Sequence, residues 1–77
     1  MIYTDGIYLV ADTEAELHEF ALKIGLKREW YHRHKGHPHY DLTTDSAIMR
    51  AIKNGAEIAR RSDILRKARE MKREFYF

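Results

Sequence analysis

Residues 7–25, IYLVADTEAELHEFALKIG, are the stretch on which the fold turns. IYLVA at 7–11 is continuous, apolar and rich in strand formers, the pattern of a strand buried at the centre of a sheet. Thr13 and Glu16 then stand at capping-box spacing, where each side chain can satisfy a backbone amide left open at a helix start. Leu17, Phe20, Ala21 and Ile24 follow at helical spacing, and Gly25 falls where a left-handed residue closes a helix. A strand running directly into a capped amphipathic helix is a building unit of α/β folds.

On the N-terminal side, IYT at 2–4 precedes Asp5-Gly6, a dipeptide favoured in tight turns, so it is either a hairpin arm or the lead-in to IYLVA. On the C-terminal side, HYDLT at 39–43 is a short strand candidate. It is followed by TTDSAIMRAIKNG, in which Thr44 or Asp45 caps a helix, Ile48, Ala51 and Ile52 line one face, and Asn54-Gly55 ends it. AEIA at 56–59 reads as a further strand. A last helix starts at Ser62 or Asp63, turns Ile64 or Leu65, Ala68, Met71 and Phe75 inward, and carries Arg66, Arg69 and Arg73 as a separate stripe. This alternation predicts one α/β domain over residues 1–77, with a small three-to-four-stranded sheet, parallel pairing and a cover of three helices. Ligands of such sheets gather beyond the carboxyl ends of strands, here near Asp12-Thr13 and Asp41 to Asp45, which places both on one edge.

Composition narrows the function classes. A chain of 77 residues buries only about 60% of its unfolded surface, so its core is small. It has no cysteine, which removes disulfides, thiolate nucleophiles and thiolate zinc ligands. Its N-terminus lacks a basic stretch followed by a long apolar run, the form of a secretory signal or membrane anchor, and a cytoplasmic protein with no membrane partner is expected. The formal net charge is +2, but residues 60–73 are strongly basic while Asp12, Glu14, Glu16 and Glu19 make the first helix acidic. Such polarity steers an anion, a nucleic acid or an oppositely charged copy of the chain; its ordinary reading is a solvated helix face.

Four of the five histidines lie within residues 31–40, YHRHKGHPHY. His37, His39 and Asp41 alternate, so on a strand they share a face and can hold zinc, manganese or iron, and His32 and His34 repeat the spacing. Gly36 and Pro38 favour an irregular segment, which shortens the reliable strand to one starting near His39 and leaves His32, His34 and His37 in a polar loop. Histidine titrates near neutrality, so His39, oriented by Tyr40 or Asp41, also suits acid–base chemistry. His18 is a second imidazole at the edge of the apolar helix stripe, where covering the core is its plainer role. Trp30, Tyr31 and Tyr40 interleave with Arg28 and Arg33, a combination that can stack a base and neutralise a phosphate. Core packing is the ordinary use of Trp30 in so small a domain. Glycine-rich phosphate loops and nucleophilic triads are missing, and Ser46 and Ser62 are explained as helix-start residues.

The order YLVADTEAELHEFALKIGLKREWYH, then HYDLT, then a short helix ending in glycine and a basic tail, resembles a small bacterial and phage family known only as a domain of unknown function. The likeness spans most of residues 3–68. Its pattern is a strand ending in Ala-Asp-Thr, an ELHxFA helix, a GLxREW segment and a HYDLT strand. Matching polar positions are Asp12, Glu16, His18, Arg28, Trp30, His39, Tyr40 and Asp41, whereas His32, His34 and His37 fall in a stretch of variable length. The chain departs from the pattern in its short Asp5-Gly6 turn and in Tyr8, which stands where the family has histidine. The resemblance implies no activity, but it implies a phage-like setting in which compact proteins act by binding.

Together these readings predict a non-enzymatic binding protein for an anionic, nucleotide-like ligand, sequestering a nucleotide signal. Arg28 contacts the anion, Trp30 or Tyr40 stacks, and His18, His39 and Asp41 set hydrogen bonds, with a second copy of the chain completing the pocket as a homo-oligomer. One alternative is a metal-assisted hydrolase or phosphodiesterase in which His39 and Asp41 hold a divalent cation and His18 assists. The other is a nucleic-acid-binding protein that uses Arg66, Arg69 and Arg73. No organic cofactor is expected.

Overall fold

In the computed structural model, which describes residues 1–33 and 37–73, Thr13 begins the first helix as the sequence predicts. Its backbone is extended and its hydroxyl accepts from the Glu16 amide at 3.2 Å. The carboxylate of Glu16 reaches the Met1 amine at 2.7 Å. Helix α1, Glu14–Lys23, buries Leu17, Phe20 and Ala21. It closes at Gly25, whose φ of 85° lets the Leu26 amide fold back to the Ala21 carbonyl at 2.9 Å, the glycine-dependent helix stop. Helix α2, Asp45–Lys53, repeats the design: Thr44, rather than Asp45, is its cap, and the Ala56 amide returns to the Ala51 carbonyl at 3.0 Å.

Strands β1 (Ile2–Thr4) and β2 (Tyr8–Ala11) form an antiparallel hairpin, so IYT is a hairpin arm. The Asp5 carboxylate closes the turn by accepting from the amides of Ile7 and Tyr8, both at 2.9 Å. Strands β3 (Tyr31–His32), β4 (His39–Asp41) and β5 (Glu57–Ile58) complete a five-stranded sheet in the order β3-β4-β2-β1-β5. The fold is α/β with three helices, the third being α3, Arg61–Arg73. The sheet is mixed, with more strands than the three or four predicted: only β1 and β5 pair in parallel.

β2 lies at the centre, and Leu9, Val10 and Ala11 are fully buried. Because α1 and α3 both contact β2, both faces of that strand are covered, which is why its sequence is apolar without alternation. α3 turns Ile64, Ala68 and Met71 inward; Phe75, expected on the same stripe, lies outside the described residues. α2 departs from expectation. Its buried residues are Ala47 and Ala51, while Ile52 is exposed, because the smaller row of a broad apolar stripe permits the closer approach.

The direction of β4 changes the geography of the sheet. Tyr8 pairs with Asp41 and Leu9 with Tyr40 in antiparallel register, so the carboxyl ends of β2 and β4 lie at opposite ends of the sheet. Asp12 and Asp41 therefore do not share an edge. Asp12 serves as an anchor instead: it accepts from Lys67 on α3 at 2.9 Å and from the Tyr3 hydroxyl at 3.2 Å. The Lys67 hydrogen bond, and next that of the Met1 amine, lower its pKa to about 2. Among the described residues no helix is long and apolar enough to cross a membrane.

Candidate functional site

Two dipeptides read as mirror images, Tyr31-His32 and His39-Tyr40, and the antiparallel pairing of β3 with β4 sets Tyr31 opposite Tyr40 and His32 opposite His39. Side chains alternate between the faces of a sheet. One register thus puts both tyrosines under α1 and both histidines, with Asp41, on the opposite face.

The tyrosine face is a buried polar network. Tyr40 is 1% exposed, and its hydroxyl lies 2.8 Å from His18 Nδ1. His18 Nε2 faces Glu14 Oε1 at 3.5 Å, one helical turn back, and the Tyr31 hydroxyl donates to Glu14 Oε2 at 2.9 Å. Since Glu14 can only accept, the proton of neutral His18 belongs on Nε2, and Tyr40 donates to Nδ1. The rings pack edge to face, His18 against Tyr31 at 4.4 Å between centroids. Burial, then the charge of Arg28 and more weakly that of Arg33, pushes the His18 pKa below its ordinary value, against the opposing pull of Glu14. Burial likewise raises the pKa of Tyr40, and burial with the Glu14 hydrogen bond raises that of Tyr31. These groups hold their protons at neutral pH, with His18 uncharged. Beside them a hollow of about 350 Å³ is lined by His18, Glu19, Leu22, Leu26, Arg28 and Tyr40.

The histidine face centres on Asp41. His32 Nε2 lies 3.0 Å from Asp41 Oδ2 and His39 Nε2 lies 3.2 Å from Asp41 Oδ1, so the carboxylate sits between two imidazoles. The imidazoles stack with centroids 5.3 Å apart, and Tyr8 packs on His39 at 4.4 Å. His39 Nδ1 donates to the His37 carbonyl. Among the described residues no group of three His, Cys, Asp or Glu side chains is arranged to hold a metal ion. His37, the third ligand of the predicted set, turns its Nε2 toward Arg69 instead, at 3.5 Å.

A short 3-10 turn, Arg28–Trp30, leads into β3 at the sheet edge. Trp30 is 45% exposed and is therefore not the core residue that its size suggests. It lines a second hollow, of about 250 Å³, with Glu29, His32, Asp41 and Thr43, and the Lys27 ammonium lies 5.6 Å from its ring centroid.

The six residues predicted to share a ligand site thus divide. His18, Arg28 and Tyr40 line the α1 side; Trp30 and Asp41 line the edge hollow; His39 faces α3. A site that uses His18 together with His39 and Asp41 would have to pass through the sheet. Tyr40 is too buried to stack on a ligand, which leaves Trp30. On α3, Arg66 pairs with Asp63 at 3.2 Å, which partly neutralises the predicted stripe, and the neighbouring Lys67 is taken by Asp12 at 2.9 Å; the Arg73 side chain lies outside the described residues, as does His34. The sequence reading missed Glu14 and Lys27, grouped Tyr31 with a base-stacking set rather than this network, and left His32 in a polar loop. The mirror order of YH and HY about a turn-forming segment was the available signal for the last two, and the i, i+4 spacing of Glu14 and His18 was the signal for the first.

No curated protein and no solved structure is significantly similar to the chain. A family model described as a protein of unknown function, DUF4031, matches residues 6–71, which is most of the chain and includes both faces of the β3–β4 pair. The chain belongs to this family.

Proposed function

We propose that the protein is a non-enzymatic binding protein for an anionic, nucleotide-like ligand, seated on the edge formed by the Arg28–Trp30 turn and β3. The observation that carries this reading is the exposure of Trp30. A domain of 77 residues has few large side chains with which to fill a core, yet its only tryptophan is 45% exposed. The indole has a cation at its face and hydrogen-bonding groups beside it. Lys27 lies over the ring, Arg28 is two positions away, and Asp41 and His32 border the same hollow. Stacking on an aromatic face combined with basic side chains at its margin is how planar bases attached to phosphate are held.

A hydrolase reading would need His18 and the His39–Asp41 pair on one substrate, and the sheet stands between them. The binding reading needs only one edge. Because Trp30 is the single tryptophan, its fluorescence reports directly on stacking. Titration with nucleoside monophosphates should quench Trp30 and raise the melting temperature. Lys27→Ala should weaken binding about tenfold, in line with loss of one charge-assisted contact. Absence of both quenching and thermal shift at millimolar nucleotide would overturn the reading.

A further inference from the structure

We infer that the edge hollow selects guanine among the bases. This rests on Trp30 acting as the stacking surface and specifies what lies beside it. Asp41 forms one wall of the hollow, and an ionised carboxylate only accepts hydrogen bonds, with about four lone-pair positions on its two oxygens. The imidazoles of His32 and His39 occupy positions on separate oxygens, Oδ2 and Oδ1, and in doing so fix the plane of the group. Acceptor capacity remains on each oxygen, side by side. Glu29, on the same hollow, adds another carboxylate, so this side of the site offers acceptors to whatever stacks on Trp30.

His39 is held from its other side as well: its Nδ1 donates to the His37 carbonyl, so the ring is fixed where it meets Asp41.

Among the common bases only guanine presents two adjacent N–H donors, N1–H and the N2 amine, spaced to meet both oxygens of one carboxylate. Adenine and cytosine each set an acceptor nitrogen beside their amine. Uracil flanks its single N–H with two carbonyls, which a carboxylate repels. The Thr43 hydroxyl, which borders the hollow, can donate to the guanine carbonyl. The phosphate stays outside this acceptor-rich wall, on the side of Lys27.

The test is a series of Trp30 fluorescence titrations of the intact protein with the 5′-monophosphates of guanosine, inosine, adenosine and uridine. Guanosine monophosphate should bind about tenfold or more tighter than the adenosine and uridine forms, the discrimination that one two-pronged hydrogen-bonded pair supports. Inosine, which lacks the N2 amine, should fall between. Asp41→Asn, which exchanges one acceptor for a donor, should erase most of the advantage of the guanosine form over the adenosine form. Equal affinity for all four nucleotides in the unmodified protein overturns guanine selection and leaves the nucleotide-binding reading standing. No quenching by any of them overturns both. The base series needs no variant, so it decides the matter even where Asp41→Asn disturbs the β3–β4 pair.

Discussion

Replacing Tyr40 with phenylalanine removes a single oxygen from the centre of the tyrosine-face network and leaves the ring that packs against Tyr31, at 5.1 Å between centroids. The lost atom is the hydroxyl that lies 2.8 Å from His18 Nδ1. Tyr40 is 1% exposed and the His18 side chain 15%, so water reaches the abandoned nitrogen poorly. An intramolecular hydrogen bond contributes about 1 kcal/mol net, but stranding a buried partner costs about 1–3 kcal/mol. Tyr40→Phe should therefore destabilise the fold by roughly 2 kcal/mol, which for a domain of this size lowers the melting temperature by roughly 8–16 °C. Urea unfolding at neutral pH reads this as a lower midpoint with an unchanged slope. A double-mutant cycle with His18→Leu should recover about 1 kcal/mol or more of coupling, since the two residues are in contact. A Tyr40→Phe loss below about 0.5 kcal/mol, within the range of ordinary surface changes, would refute the argument that water reaches the network poorly.

The same histidine makes stability depend on pH. Burial, with Arg28 as the next cause, holds the folded-state pKa of His18 below 6.5, so in that window the unfolded chain binds the proton more readily. Stability should fall as pH drops through 6.5 toward the folded value, and His18→Gln should flatten that slope in urea midpoints measured across the window. Asp12 behaves in the usual carboxylate sense. Its pKa is lowered from 3.8 to about 2, so its contribution is present above 3.8 and lost as pH falls toward about 2. Because Asp12 is 40% exposed, Lys67→Met should cost no more than about 1 kcal/mol, while carboxylate titration by NMR should show Asp12 moving back toward 3.8. Gly25→Ala meets nothing within 4 Å but must adopt a φ of 85°; it should cost roughly 1–2 kcal/mol by thermal melting, and Gly25→Asn less.

The parts of the fold that could be read from the sequence are those with local causes. Thr13 and Thr44 cap helices because a hydroxyl can accept from an amide three residues on, and Gly25 and Gly55 end helices because both take positive φ. β2 announces itself by burial on both faces. The direction of pairing has no such local signature: nothing in HYDLT states that it runs antiparallel to IYLVA, and that direction separates Asp41 from Asp12. Two-residue strands such as β3 and β5 carry no periodicity to detect. In α2 the residues Ala47, Ile48, Ala51 and Ile52 form two adjacent rows, and which row turns inward is a tertiary decision.

For the site, what counted was which face each residue occupies. His39, Tyr40 and Asp41 are consecutive, so chain proximity groups them, yet a strand sends the middle one to the opposite side of the sheet from its neighbours. With β4 held by β2, a shift of one residue in the β3–β4 register would move Tyr31 away from α1 and His32 toward it. The Tyr31 hydroxyl bond to Glu14 and its ring packing on the fully buried Tyr40 oppose that shift. The tyrosine network thus fixes the register, and the register in turn sets His32 and His39 on either side of Asp41. On this argument the buried face holds the exposed one in place. Loosening Tyr40 should then weaken binding at Trp30 and Asp41, although no ligand would touch Tyr40 itself.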